Sequence, residues 1–279
     1  MVAREFNFSE TVFLDRKDAS QPPRVRIFTP VTEINFAGHP VIGVGHVLFR
    51  HLLSGASGTA EVKKSPLSIP TQAGEVVIDY DPGSRAVVAE VPHNIHRHTR
   101  DTPKQSIADT QPGFTASKAY SSLKAAYPSL SIVKGVTYFL VDLTDLPELF
   151  ADVKAGGSPA IDLDDEWGPS FTGTMYYRAI ETRDENGTKV QSLRVRMIAI
   201  NLEDPACGSG CCSLGAYLAL QDGARGGKYR FQFDQGSEIG RDSALTVHVV
   251  LNELGSAVSK IQLSGEAVPV MEGTMLPPL

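Results

Sequence analysis

Two turns built from small residues each run straight into an apolar helix pattern, and this repeated element restricts the possible folds more than any other feature. The first is Phe36-Ala37-Gly38-His39-Pro40, leading into Val41 to Leu53. The second is Glu203-Asp204-Pro205-Ala206-Cys207-Gly208-Ser209-Gly210, which precedes a helical pattern over Ser209 to Leu220 with Leu214 and Leu218 on one face. Pro40 stands where a missing N–H costs nothing at a helix start. One architecture occurring twice in 279 residues predicts two domains. A small-residue turn ahead of a helix also leaves N–H groups unpaired at the positive end of the helix dipole, so two facing turns make a site for a carboxylate or phosphate. Taken singly, the same Gly and Ser residues do no more than cap helices.

Between and around the turns, strand patterns dominate: Val25–Phe28, Val76–Tyr80, Ala86–Val91, Tyr138–Val141, Tyr176–Thr182, Val190–Asn201, Tyr229–Phe233, Leu245–Leu251 and Ala267–Met271. Asp81-Pro82-Gly83-Ser84 and the Asn186-Gly187 pair predict antiparallel hairpins. A third helical pattern covers Ala116 to Ala126, and polar Asn94 to Gly113 reads as a loop near a boundary at Pro128. The fold class is α+β.

A net charge of -6, without a stripe of Lys or Arg, excludes nucleic acid as a default partner. The N-terminus has no apolar signal core and no apolar run is long enough to span a bilayer, so a cytoplasmic protein with no membrane partner is expected. Cys207, Cys211 and Cys212 are too clustered for a disulfide framework, and their spacing, with no nearby His, predicts no metal site. Gly43-Val44-Gly45 lacks the third glycine of a dinucleotide fingerprint and lies inside a helix pattern.

Asn7-Phe8-Ser9-Glu10-Thr11-Val12-Phe13, Arg26-Ile27-Phe28-Thr29-Pro30-Val31, Phe36-Ala37-Gly38-His39-Pro40 and Glu203-Asp204-Pro205-Ala206-Cys207-Gly208-Ser209 together resemble, in this order, the PhzF family of phenazine-biosynthesis isomerases. Gly273-Thr274-Met275 resembles that family's terminal strand. The resemblance implies the diaminopimelate epimerase fold: two pseudo-symmetric domains, each a curled, mostly antiparallel sheet around a central helix, with the site in the cleft between them. Residues 1–127 with a closing strand in 266–279 form one domain, and residues 128–265 the other. It further implies that Glu10 moves a proton, that His39 and Asp204 hold and polarise the substrate, and that Gly38, Gly208, Ser209 and the Ser9 hydroxyl receive a substrate carboxylate. No cofactor is expected, and a homodimer is.

Elementary chemistry agrees with the role given to Glu10. A carboxyl shielded by Phe6, Phe8, Val12 and Phe13 has its pKa raised toward neutrality and can both accept and return a proton. An exposed glutamate on a strand, a capping His39 and a capping Asp204 are the plainer alternatives.

The related two-thiol racemases carry a cysteine at each turn, whereas Ala37 stands at the first turn here and only Cys207 remains at the second. At a helix start Cys207 is expected to have a lowered pKa, which leaves a one-cysteine epimerase as an alternative. The resemblance also implies an upstream strand and a Gly-Asn-Pro segment before the position of Met1; lacking them, a sheet edge is exposed and a weak or inactive anion-binding homologue is a further alternative. The loops Asp162 to Gly168 and Asp184 to Gly187 are expected to wall the pocket.

Overall fold

Strand β1 (Thr11–Asp15) follows a short helix α1 (Val2–Phe6), and β2 (Arg24–Phe28) and β3 (Glu33–Ile34) complete a three-stranded antiparallel sheet in the computed structural model, which describes residues 2–15, 23–49 and 66–275. Helix α2 (Gly38–Val47) comes next; the part of its expected course beyond residue 49 lies outside the described residues. The chain continues through β4 (Leu67–Thr71), β5 (Gly74–Asp81), β6 (Ala86–Glu90), β7 (His96–Arg97), β8 (Thr102–Pro103), α3 (Lys104–Thr110), α4 (Pro112–Ala116), β9 (Ala126–Tyr127), β10 (Ser129–Val133), β11 (Val136–Asp142) and α5 (Pro147–Asp152). It ends with β12 (Phe171–Glu185), β13 (Thr188–Ala199), β14 (Leu202–Asp204), α6 (Gly208–Asp222), β15 (Lys228–Gln235), β16 (Ser243–Leu251) and β17 (Val258–Gly265).

The large sheet runs in the order β4-β5-β6-β17-β16-β15-β13-β12-β11-β10-β7, with β14 also paired to β13. The mixed α+β architecture expected from the sequence is therefore present. Strand β17 joins its two parts, pairing antiparallel with β16 on one side and β6 on the other. One apolar cluster fills the space around α2 and α6, holding Val41, Val44, Cys211, Leu214, Leu263 and the inward side chains of β5, β6, β15 and β16. Both helices are buried on nearly every side, which is why their sequences lack a polar stripe. A second cluster, including Ile107, Phe114, Phe150, Val141, Tyr176 and Ile198, packs α3 to α5 on the outer face of β11, β12 and β13. No helix among the described residues is long and apolar enough to cross a membrane.

Both hairpins form as their turn residues dictate. Asp81 accepts hydrogen bonds from Gly83 N and Ser84 Oγ between β5 and β6. Asn186 and Gly187 take φ of 54 and 79 between β12 and β13, the positive pair that a type I′ turn needs.

Three expectations fail. The continuous helix over Ala116 to Ala126 is broken: Ser117 and Leu123 are extended, the Ser117 side chain accepts from Ala119 N, and only a 3-10 turn, Lys118–Ser122, remains. The polar stretch from Asn94 to Gly113 is not a plain loop, because Ile107 and Ala108 bury one side of α3. The strand expected at Ala267–Met271, and with it a closing strand through 266–275, is absent. Pro269 supplies no N–H to a ladder, and Val268 and Val270 are 74% and 86% exposed with no neighbouring strand among the described residues to cover them. The place beside β6 is taken by β17, in which Lys260-Ile261-Gln262-Leu263 alternates less buried polar with buried apolar residues.

Candidate active site

The start of α2 meets the start of α6. A Cβ on Gly38 would lie 2.7 Å from the Cα of Gly208, and one on Gly208 would lie 2.9 Å from the Cα of Gly38. Backbone cannot give way as a side-chain tip can, so this approach requires glycine on both sides. Leu263 of β17 packs beneath, its Cδ2 at 2.7 and 2.6 Å from the same two added atoms. The first N–H groups of each helix have no intrahelical acceptor, and the two sets converge where both dipoles present their positive ends.

Beside this junction is a cavity of about 520 Å³ lined by Glu10, Gly38, His39, Asp204, Cys207, Gly208 and Ser209, with walls from Phe36, Tyr138, Met197 and the segment Pro169 to Phe171. That volume suits a small ligand. Ser9 is the exception among the expected residues. It lies behind His39, in a smaller recess with Asp204 and Arg241. A larger groove of about 780 Å³ opens on the other side of Glu10 and His39 along α2, but it does not include Gly208 or Ser209. The loop expectation fails: neither Asp162 to Gly168 nor Asp184 to Gly187 lines the cavity. Pro169 to Phe171, just after the first loop, form its wall, whereas Asp184 and Gly187 line a distant surface hollow with Lys189 and Lys228. The β12–β13 hairpin carries its tip away from the end that pairs with β14.

Glu10 turns inward. Its Oε2 is buried, stands 3.1 Å from His39 Nε2 and, among the described residues, makes no aligned hydrogen bond, so it retains capacity to accept a proton. The aromatic residues around it in sequence do not provide this shelter. Phe6 and Phe8 stack on each other and are about half exposed, and Phe13 packs edge-on against Phe28. Side chains alternate along a strand, so Glu10 shares its face with Val12 and Leu14, not with Phe13.

Burial pushes the Glu10 carboxyl up, but the close His39 imidazole, its charge and the Ser9 hydroxyl together outweigh it and hold Glu10 below its ordinary value. The expected rise toward neutrality is thus corrected: Glu10 is a carboxylate at neutral pH. For His39, burial acts downward, yet Glu10, Asp204 and the Ala206 backbone raise it above 6.5. Burial keeps the Asp204 carboxyl above its usual range, opposed by His39.

Two residues that carried no sequence signal, Gln235 and Tyr138, help to hold the second turn. Cys207 N donates to Gln235 Oε1 at 3.0 Å, and Gln235 Nε2 donates to Asp204 O at 2.6 Å, so one side-chain amide fixes both ends of the turn. Asp204 Oδ1 accepts from Ala206 N at 2.9 Å. Glu203 forms a two-pronged, buried pair with Arg196, which also donates to Phe150 O and Ala151 O. The Tyr138 hydroxyl lies 2.7 Å from Ser209 Oγ and 3.3 Å from Cys207 Sγ. Tyr138 and Gln235 sit in strand alternations like any other, so nothing local distinguished them.

Burial, with Asp204 adding to it, pushes the Cys207 thiol up strongly, contrary to the lowering expected at a helix start. Cys207 in the native protein is therefore expected to resist iodoacetamide at neutral pH, and Cys207→Ser to keep turnover within a few-fold. Peptide mass spectrometry after alkylation checks the first; rapid labelling with parallel loss of turnover would contradict it.

Residues 1–273 match the phenazine biosynthesis-like protein family, PhzC-PhzF. The chain is 26% identical over 280 residues to the trans-2,3-dihydro-3-hydroxyanthranilate isomerase of Pseudomonas aeruginosa, covering 98% of this chain and 86% of that one. It is equally 26% identical, over 290 residues, to an uncharacterized isomerase of Mesorhizobium japonicum, covering 98% and 87%. Among solved structures, a PhzF-family protein of Bacillus anthracis superposes with a TM-score of 0.67 at 22% identity, over 99% of this chain and 87% of that one. A hydroxyproline epimerase of Agrobacterium vitis with bound trans-4-hydroxy-L-proline superposes with a TM-score of 0.51 at 16% identity, over 92% and 71%.

Proposed function

Because the chain belongs to the phenazine biosynthesis-like PhzC-PhzF family and is an isomerase, we propose that Glu10 relocates a proton between carbons of a small carboxylate held at the two helix starts. The observation that carries this reading is the single cavity in which Glu10 faces the joined N-termini of α2 and α6. The substrate carboxylate accepts from the amides around Gly38 and Gly208 and from Ser209, with Ser9 bracing Glu10 from behind. Glu10, resting as a carboxylate, takes the proton from carbon. His39 and Asp204 hold the substrate and polarise it, and the protonated Glu10 delivers the proton to another carbon of the conjugated system. Dipoles fixed before the reaction stabilise the enolate-like charge as it develops. A proton that leaves and returns leaves the substrate's net oxidation state unchanged, so the proposed step calls for no redox cofactor.

The substrate is a small unsaturated cyclic or amino-acid-like acid. The relatives' names suggest two starting points, trans-2,3-dihydro-3-hydroxyanthranilate and trans-4-hydroxy-L-proline. In deuterium oxide, NMR of such a panel is expected to show deuterium entering carbon for at least one cyclic carboxylate. Binding without exchange across the panel would instead favour an anion-binding homologue. The one-cysteine epimerase is disfavoured by the raised Cys207 thiol.

The pH dependence follows from the ion pair. Glu10 must be ionised, and its value is lowered, so the acid limb of kcat/KM is expected below 4.5; His39 is raised, so a limb due to its deprotonation falls above 6.5. His39→Gln removes the partner that offsets burial, and the acid limb then moves upward. An acid limb that stays in place in this variant would show that Glu10 is not the group observed.

A further inference from the structure

A second cluster of chemically versatile side chains lies apart from the cleft. His96 and His98 flank Arg97 on an extended segment, so both rings project to the same side, and Asp164 approaches them from the loop before β12. One donor atom from each of the three lies within 4.8 Å of the others; His96 Nε2 is 2.8 Å and His98 Nδ1 4.0 Å from Asp164 Oδ2. None of the three lines the candidate active-site cavity.

Their surroundings fix the rings and the carboxylate. The Asp164 backbone N–H can only donate, and at 3.2 Å it engages the lone pair of His98 Nδ1, so that nitrogen is unprotonated and an ion binds it by displacing this hydrogen bond. The proton is then on Nε2, which donates to Ser131 Oγ at 2.9 Å. The Asp164 carboxylate is steadied by Thr99 Oγ1 at 2.8 Å and by Thr99 N. The His96 ring stacks on Trp167 at 4.4 Å and stands perpendicular to His98. Such outer partners fix tautomer and ring orientation in known metal sites.

We propose that His96, His98 and Asp164 form a binding site for a first-row divalent transition ion of the zinc type, with water completing the coordination. Two imidazoles and one carboxylate favour such an ion over magnesium or calcium, which take mainly oxygen. Bonds of about 2.0–2.2 Å in a tetrahedron place donors roughly 3.3 Å apart, so His98 must draw in toward both Asp164 Oδ2, at 4.0 Å, and His96, up to 4.8 Å away, while the 2.8 Å His96–Asp164 gap opens. His98 is buried, whereas His96 and Asp164 are partly exposed, leaving an entry path. The bound ion ties β7 to the loop that leads into Pro169 to Phe171. A hydrogen-bonded chain from His98 through Ser131 and Thr137 ends on Ser170, in the cavity wall.

Trp167 is the chain's only tryptophan, so its fluorescence reports this site directly. After chelator treatment, titration of the full chain with zinc or cobalt is expected to give a saturable Trp167 signal, one equivalent bound by equilibrium dialysis, and micromolar or tighter affinity. His96→Gln and Asp164→Asn should each weaken binding by at least about tenfold while keeping the wild-type circular dichroism. Glu10→Gln should bind as wild type, which separates this site from the cleft. Only submillimolar or weaker binding, equal binding of magnesium, or zinc affinity unchanged in both ligand variants would overturn the proposal. Should both variants misfold, the cobalt visible spectrum of the wild type decides: tetrahedral nitrogen-containing coordination supports the site, and a spectrum of aqueous cobalt overturns it.

Discussion

Glu10→Gln is expected to lower the rate of deuterium entry into the substrate by about 10²–10⁴-fold, the contribution typical of a positioned acid or base. Glutamine preserves shape but cannot be a carboxylate base. The carboxylate-binding amides at Gly38 and Gly208 belong to the backbone and stay where they are, so affinity for an unreactive cyclic acid should remain within a few-fold of wild type. The separation of the two effects is the diagnostic part. Loss of both binding and exchange would point to a collapsed cavity, and wild-type exchange would remove Glu10 from the chemistry. The lost charge also leaves His39 with less to support its raised value, so His39, followed by NMR in the variant, should titrate lower than in the wild type.

Gly208→Ala is expected to damage stability and turnover together, by about 1–3 kcal/mol and about a hundredfold in kcat/KM respectively. The new methyl would meet Leu263 Cδ2 at 2.6 Å and the Gly38 Cα at 2.9 Å. The leucine tip can turn aside, but the helix start opposite cannot. The two N-termini must then separate, and the amides that converge on one acid no longer do so. Gly38→Ala should act in the same way, since its added carbon would meet Gly208 Cα at 2.7 Å. Adding Leu263→Ala to Gly208→Ala relieves the side-chain clash only, so turnover should stay low in the double variant. Urea unfolding and initial rates measure both quantities. Full rescue by Leu263→Ala, or a Gly208→Ala protein of wild-type stability, would show that the backbone contact is not limiting.

The elements that could be read from sequence are those whose cause is local. The turns at Asp81 and Asn186 depend on residues within a few positions, and β2, β5, β6, β15 and β16 show the period-two burial that their sequences carry. The gathering of Glu10, His39, Asp204 and Ser209 around one cavity was legible through the resemblance to the PhzF family, whose ordered motifs implied that these residues meet at two facing helix starts. What depends on distant packing was not. Phe6 and Phe8 look like a shield for Glu10 in sequence, but strand alternation and α2 decide what covers it. The charge state of Glu10 could not be read because it is set by His39, a partner from another element. Tyr138 and Gln235 act on the second turn from β11 and β15. Likewise β17 was overlooked because its serines dilute the apolar signal, although it supplies Leu263, which packs against both helix starts.

A crystal structure of the protein with a planar cyclic carboxylate of the hydroxyanthranilate class tests the central claim most directly. The ligand's carboxylate is expected about 3 Å from amides at the starts of both α2 and α6, with a ring carbon about 3.5 Å from a Glu10 oxygen. A ligand lodged in the larger groove along α2, or a Glu10 carboxyl turned away from the bound ring, would contradict it.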